Sequence, residues 1–111
     1  MGGKASRVKG HTFERKIAEE LRQWFPDVVT SRSESKRADD KGKDLMYTSI
    51  LCIQCKATET SPSYAVLLKD MKKNFPDEVP MIFRKQNNKP ETVTMLKSDL
   101  YTRMNTLWMF E

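Results

Sequence analysis

The stretch from Asp44 to Thr60, DLMYTSILCIQCKATET, carries a carboxylate, an amide and an ammonium, Asp44, Gln54 and Lys56, that a β-hairpin is expected to bring together. With the turn centred on Ser49, Tyr47 faces Leu51, Leu45 faces Ile53 and Asp44 faces Gln54; directly opposed Cβ atoms stand about 5 Å apart. Gln54 and Lys56 share one face because side chains alternate along a strand, while Ile53 and Cys55 point the other way, into the core. A carboxylate and an amide oxygen are hard donors suited to Mg²⁺, an ion that keeps several of its waters. An ammonium beside them polarises a metal-bound water or neutralises charge on a phosphoryl oxygen. That is the chemistry of phosphodiester hydrolysis. The spacing alone is a weak signal, and the competing reading is a Gln–Asp hydrogen bond next to an exposed Lys.

These groups need elements to hold them. Phe13, Ile17, Leu21 and Trp24 or Phe25 recur at helical spacing, which predicts a helix over 12–25 stopped by Pro26. Glu14 lies beside that stripe, aligned with Ala18 and Leu21, an uncommon place for a carboxylate. Asp27–Thr30 is a short strand candidate. From Ser31 to Lys43 the chain is polar and charged and reads as a loop. Strands are expected over 43–47 and 50–58, around a turn at Thr48-Ser49. Ser61-Pro62 reads as an N-cap followed by a first-turn proline, opening a helix with Tyr64, Leu67, Leu68, Met71 and Phe75 as its stripe. VPMIFR (79–84) and ETVTML (91–96) read as paired strands around the KQNNKP turn. Ser98-Asp99 caps a final helix bearing Leu100, Met104, Leu107 and Trp108; its apolar residues, with Met109 and Phe110, are expected to pack in the core. The expected order is αβββαββ(α), an α/β (α+β) chain.

Length and charge narrow the class. With 111 residues the chain suits one compact domain, 9–111, behind a basic flexible tail over 1–8. No apolar run approaches the roughly 20 residues of a membrane span, and the basic N-terminus lacks the apolar stretch of a signal peptide, so no membrane partner and a cytoplasmic location are expected. Twenty Lys and Arg stand against 15 acidic residues, a net charge of +5, and the positive residues cluster in a way that suits a phosphate backbone. Cys52 and Cys55 are spaced CxxC, but His11 is the one other soft ligand, too few for a structural zinc. The pair also lies within a β-rich run rather than at a turn into a helix, so both read as reduced, packed strand residues.

The upstream residues add a resemblance. RVKGHTFERKIAEELR (7–22) resembles the first motif of the archaeal and phage Holliday junction resolvases, in which a basic KG precedes a helix carrying an ER pair; Lys9-Gly10 and Glu14-Arg15 match. A strand, an Arg and a Ser-containing loop follow in that family, matched by Val28-Val29, Arg32, and Ser33 or Ser35. Asp44 in KGKDL then takes the family's Asp, and Gln54-Cys55-Lys56 its E-x-K. The likeness runs over about residues 7–97 and is specific as an ordered set, not motif by motif. It implies a restriction-endonuclease-like PD-(D/E)XK fold, a central mixed five-stranded sheet flanked by helices. It implies a homodimer in a prokaryotic or phage-infected cell, cutting four-way DNA junctions with Mg²⁺, for which Mn²⁺ substitutes. By carry-over Glu14, Asp44 and Gln54 hold the metal, Lys56 positions the attacking water, and Ser33, ahead of Ser35, approaches the scissile phosphate. Arg7, Lys9, Arg15, Arg32, Lys36 and Arg37, with Lys41 and Lys43, line the DNA path.

Gln54 is the departure, since the resolvases have Glu there. Similar nucleases of the Mrr restriction type carry Gln at this position, and a deliberate Glu-to-Gln replacement would read the same. Three readings follow: a junction resolvase, a Mrr-like or repair-type nuclease on duplex or flap DNA, and a non-catalytic DNA-binding protein on a decayed nuclease fold.

Overall fold

The computed structural model describes the backbone over residues 2–108 and side chains over 4–106. Helix α1 spans Gly2–Leu21, so the segment expected as a tail is helical from Gly2 on. No proline interrupts residues 2–21, and Lys4, Ala5, Arg7 and Lys9 are strong helix formers. The helix ends a turn earlier than its stripe predicts. Trp24 and Phe25 N–H groups both return to the Leu21 carbonyl, at 3.0 and 2.8 Å, and Pro26 disfavours helix at Phe25.

Five strands follow in the expected order: β1 (Val29–Thr30), β2 (Leu45–Met46), β3 (Leu51–Ala57), β4 (Val79–Lys85) and β5 (Thr92–Met95). They form two sheets rather than a single five-stranded one. β1 and β2 pair antiparallel, Val29 with Met46 and Thr30 with Leu45. β3, β4 and β5 make a mixed sheet in that order, β3–β4 parallel and β4–β5 antiparallel. Pro80 lies just ahead of Met81, the first β4 residue paired to β5, where its missing N–H breaks no bond to that strand.

The expected hairpin between β2 and β3 is corrected. Tyr47 and Ser49 both have positive φ (66° and 56°), and the Leu51 N–H returns to the Thr48 carbonyl at 3.1 Å. The buried Thr48 hydroxyl donates to the Leu51 carbonyl at 2.7 Å. This turn swings β2 out of the β3 ladder, and the Asp44 N–H bond to the Ile53 carbonyl at 2.8 Å remains between the segments.

The segment expected as a loop holds two short helices, α2 (Ser31–Glu34) and α3 (Lys36–Asp40). The Ser35 hydroxyl caps α3 by accepting from the Ala38 N–H at 3.3 Å, and Ala38 is buried beneath it. Gly42 then turns the chain toward Asp44 at φ 92°, a conformation that costs glycine little.

Two clusters of apolar side chains clamp β3. Ile53 and Cys55 pack with Phe13, Ile17 and Ala18 of α1, and with Val28 and Leu45. Cys52 and Ile82 pack with Leu68 and Met71 of α4 (Tyr64–Asn74), the crossover between the parallel strands. α4 starts at Tyr64 with Ser63 at the N-cap position, not at Ser61-Pro62, and the Ser63 side chain makes no capping bond. Helix α5 (Lys97–Trp108) begins before Ser98 and Asp99, which lie inside its first turn. Its Leu100 and Met104 are exposed, so they do not join the core as expected; Tyr101 is exposed as well. The side chains of Leu107 and Trp108, and all of Met109 and Phe110, lie outside the described residues. Among the described residues no helix is long and apolar enough to cross a membrane.

Candidate metal and phosphodiester site

Three elements deliver carboxylates to one point. α1 turns Glu14 toward the core together with Phe13 and Ile17, leaving Glu14 5% exposed. Asp44, 8% exposed, enters from the chain just ahead of β2, and Asp39 from the last turn of α3. One carboxylate oxygen from each lies within 4.8 Å of the others. The Asp44 carboxylate accepts from the Cys55 N–H at 2.7 Å, so β3 positions it through its backbone rather than by opposing Gln54.

The charges here are only partly balanced. Burial pushes the Asp44 carboxyl up to about 7; the Cys55 N–H works against that rise, while Glu14 and Asp39 add to it. Arg32 spends its charge on Glu14, with Nη2 2.6 Å from Oε1 and 2.8 Å from Oε2, and Nε 3.2 Å from Oε2. That hydrogen-bonded pair raises the guanidinium pKa further. Both cysteines are free and buried; burial pushes the Cys52 thiol up to about 12 and Cys55 higher still, which disfavours the thiolate.

Gln54 is half-buried and reaches the other wall of this region. Its Nε2 lies 3.5 Å from where a Cβ on Gly42 would stand, and its Oε1 is buried with no hydrogen-bond partner among the described residues. It borders a cavity of about 220 Å³ with Asp39, Gly42, Asp70 and Met71. Asp39 therefore belongs both to the carboxylate cluster and to the Gln54 cavity. Lys56, half-buried two positions along β3, lines a groove of about 490 Å³ with Ser6, Lys9 and Gly10 of α1.

The donor set fits a hard divalent cation. Three carboxylates converge, one guanidinium answers one of them, and an amide oxygen nearby lacks a partner.

Other residues singled out in the sequence have different surroundings. The Ser33 hydroxyl donates to the Thr30 carbonyl at 2.8 Å, and Ser35 is the α3 cap. Lys43 sits 2.7 Å from Glu78 and 4.8 Å from the Phe75 ring centroid, with its side chain largely buried. Lys9 reaches Glu59 at 3.5 Å and Asn87 at 3.3 Å. Arg7 and Arg15 on α1, and Lys36 and Arg37 on α3, are exposed; Lys36 is within 3.5 Å of Asp40. Lys41 borders a hollow with Arg37 and Asn74.

Sequence reasoning missed Asp39. Its one signal is its place in ADDKGKD, five residues before Asp44, which a polar-loop reading hides. No protein-family model matches the chain, and no curated protein and no solved structure matches it.

Proposed function

We propose that the chain is a Mg²⁺-dependent endodeoxyribonuclease that resolves four-way DNA junctions as a homodimer in the cytoplasm, on a PD-(D/E)XK-type core. The observation that carries this reading is the convergence of buried Glu14 and Asp44 with Asp39, on a chain of net charge +5. The element order supports it too, with the acidic helix first and the β3 amide and ammonium after Asp44.

In this reading Glu14, Asp39 and Asp44 hold the ion, with the Gln54 amide oxygen as a further donor. The ion supplies Lewis-acid polarisation and a water acidified toward neutrality. The chain's own residues do the rest. The Cys55 N–H orients Asp44. Lys56, which lines the groove beside α1, sets its ammonium against the developing charge on phosphate. Exposed Arg7, Arg15, Lys36 and Arg37 neutralise the backbone on either side.

Cleavage of a mobile four-way junction, compared with linear duplex and single strand with and without Mg²⁺, tests this. Junction-selective, Mg²⁺-dependent nicking is expected. Gln54 favours a second reading, a Mrr-like or repair-type nuclease, for which duplex or flap DNA is cut in preference. Junction binding without any cleavage points to a decayed, non-catalytic fold.

A further inference from the structure

Glu14 is the most buried carboxylate of the cluster and the one already taken. Arg32 meets both of its oxygens, at 2.6 and 2.8 Å from Nη2. A divalent ion held by Glu14, Asp39 and Asp44 draws on the same oxygens, and two cations cannot share them without repulsion. The Arg32 side chain is 36% exposed against 7% for Glu14, so solvent reaches the arginine side chain while its partner anion is buried. Its main chain is pinned: the preceding Ser31 is fully buried, and its N–H donates to the Asp44 carbonyl at 2.7 Å. The side chain can therefore leave Glu14 by rotation while α2 stays in place.

We infer that Arg32 is an exchangeable counter-ion: it closes on Glu14 in the metal-free protein and passes to a DNA phosphate when a divalent cation takes Glu14. This rests on the metal-dependent nuclease reading above. A planar guanidinium suits the exchange because the same fork fits carboxylate and phosphate. Releasing Glu14 with nothing in its place leaves a buried charge unpaired, which is strongly unfavourable, so the swap proceeds only when the ion arrives. Linkage then makes the effect mutual: the ion strengthens phosphate binding by the factor that phosphate strengthens ion binding.

The test starts with the DNA-free full chain. Mg²⁺ affinity is measured by calorimetry for the wild type, Arg32→Gln and Arg32→Lys. Removing the competitor in Arg32→Gln is expected to tighten Mg²⁺ binding about tenfold, a typical coupling factor. Arg32→Lys, which keeps the charge but loses the fork, also binds more tightly than wild type. Equal or weaker binding in both variants overturns the exchange while leaving the metal site standing. Mg²⁺ bound by none of the three overturns the metal reading and the exchange with it. Should Arg32→Gln fail to fold, the wild type suffices: the Arg32 Nε–Hε resonance, identified by its absence in Arg32→Lys, is expected to move on Mg²⁺ saturation. A resonance unmoved by saturating Mg²⁺ overturns the proposal. For the phosphate half, the log–log salt slope of junction binding should steepen from chelator to Ca²⁺ by about 0.9 more in wild type than in Arg32→Lys. Equal changes overturn that half.

Discussion

At the scale of single residues, Asp44 and Gln54 show what burial does to polar groups that lack a full set of partners. Burial, with Glu14 and Asp39 alongside, pushes the Asp44 carboxyl up to about 7 from its ordinary 3.8. A group whose folded pKa is raised contributes stability that is complete below its unfolded value and is lost as pH climbs through the folded one. With metal chelated, the Tm at about pH 5.5 is therefore expected above that at about pH 8, and Asp44→Asn should remove most of the difference. A Tm that is flat or inverted between these conditions contradicts the buried-carboxylate account. The same Asp44→Asn is expected to abolish cleavage and leave junction binding intact, as read by a single-turnover assay beside a gel shift. Gln54→Glu adds a charge where Oε1 already lacks a partner. It should cost about 1–3 kcal/mol without metal and widen the Mg²⁺-induced rise in Tm beyond that of the wild type. If neither Tm shift nor Mg²⁺ affinity changes, Gln54 is not a ligand.

At the scale of elements, the short helix α3 delivers Asp39, and one hydroxyl caps it. Ser35→Ala should cost about 1 kcal/mol in denaturant unfolding and weaken Mn²⁺ binding, because the turn that aims Asp39 frays. Unchanged Mn²⁺ affinity in a destabilised Ser35→Ala chain would remove Asp39 from the site. This element was not legible in the sequence. Four- and five-residue helices leave no periodic stripe, and α3 is held by a cap and by burial of a single alanine. The longer elements were legible because Phe13 and Ile17, or Leu68 and Met71, repeat at the helical period and all four are buried. Glu14 was legible for the same reason, as a carboxylate on the margin of such a stripe. The β2–β3 register was not. The positive φ values at Tyr47 and Ser49 fall on residues that rarely adopt them, so nothing in MYTSI announces a turn that displaces Asp44 onto the Cys55 N–H.

At the scale of the whole molecule, the net charge of +5 and the proposed two-fold pairing set how the junction-nuclease reading is tested. Arg32 and Lys43 of the 31–43 segment are paired with Glu14 and Glu78, while Lys36, Arg37 and Lys41 are exposed; Lys36 and Arg37 share helix α3. Replacing both by Ala should flatten the log–log salt slope of metal-free junction binding by roughly 1.8, at about 0.9 per phosphate. An unchanged slope places the DNA elsewhere. If the chain resolves junctions as proposed, concerted cutting of two strands needs two sites, so light scattering is expected to give a dimer mass, alone or on adding junction DNA. The bond from the Cys55 N–H to Asp44 also bears on how this chain tolerates sequence drift. The group that aims the carboxylate belongs to the main chain, which every residue except proline supplies. The middle letter of Gln-Cys-Lys is thus answerable to Phe13 and Ile17 for its size, and to chemistry not at all. Small apolar replacements there should leave the Asp44 carboxylate where it is, while proline would remove the N–H that aims it without changing any acidic residue.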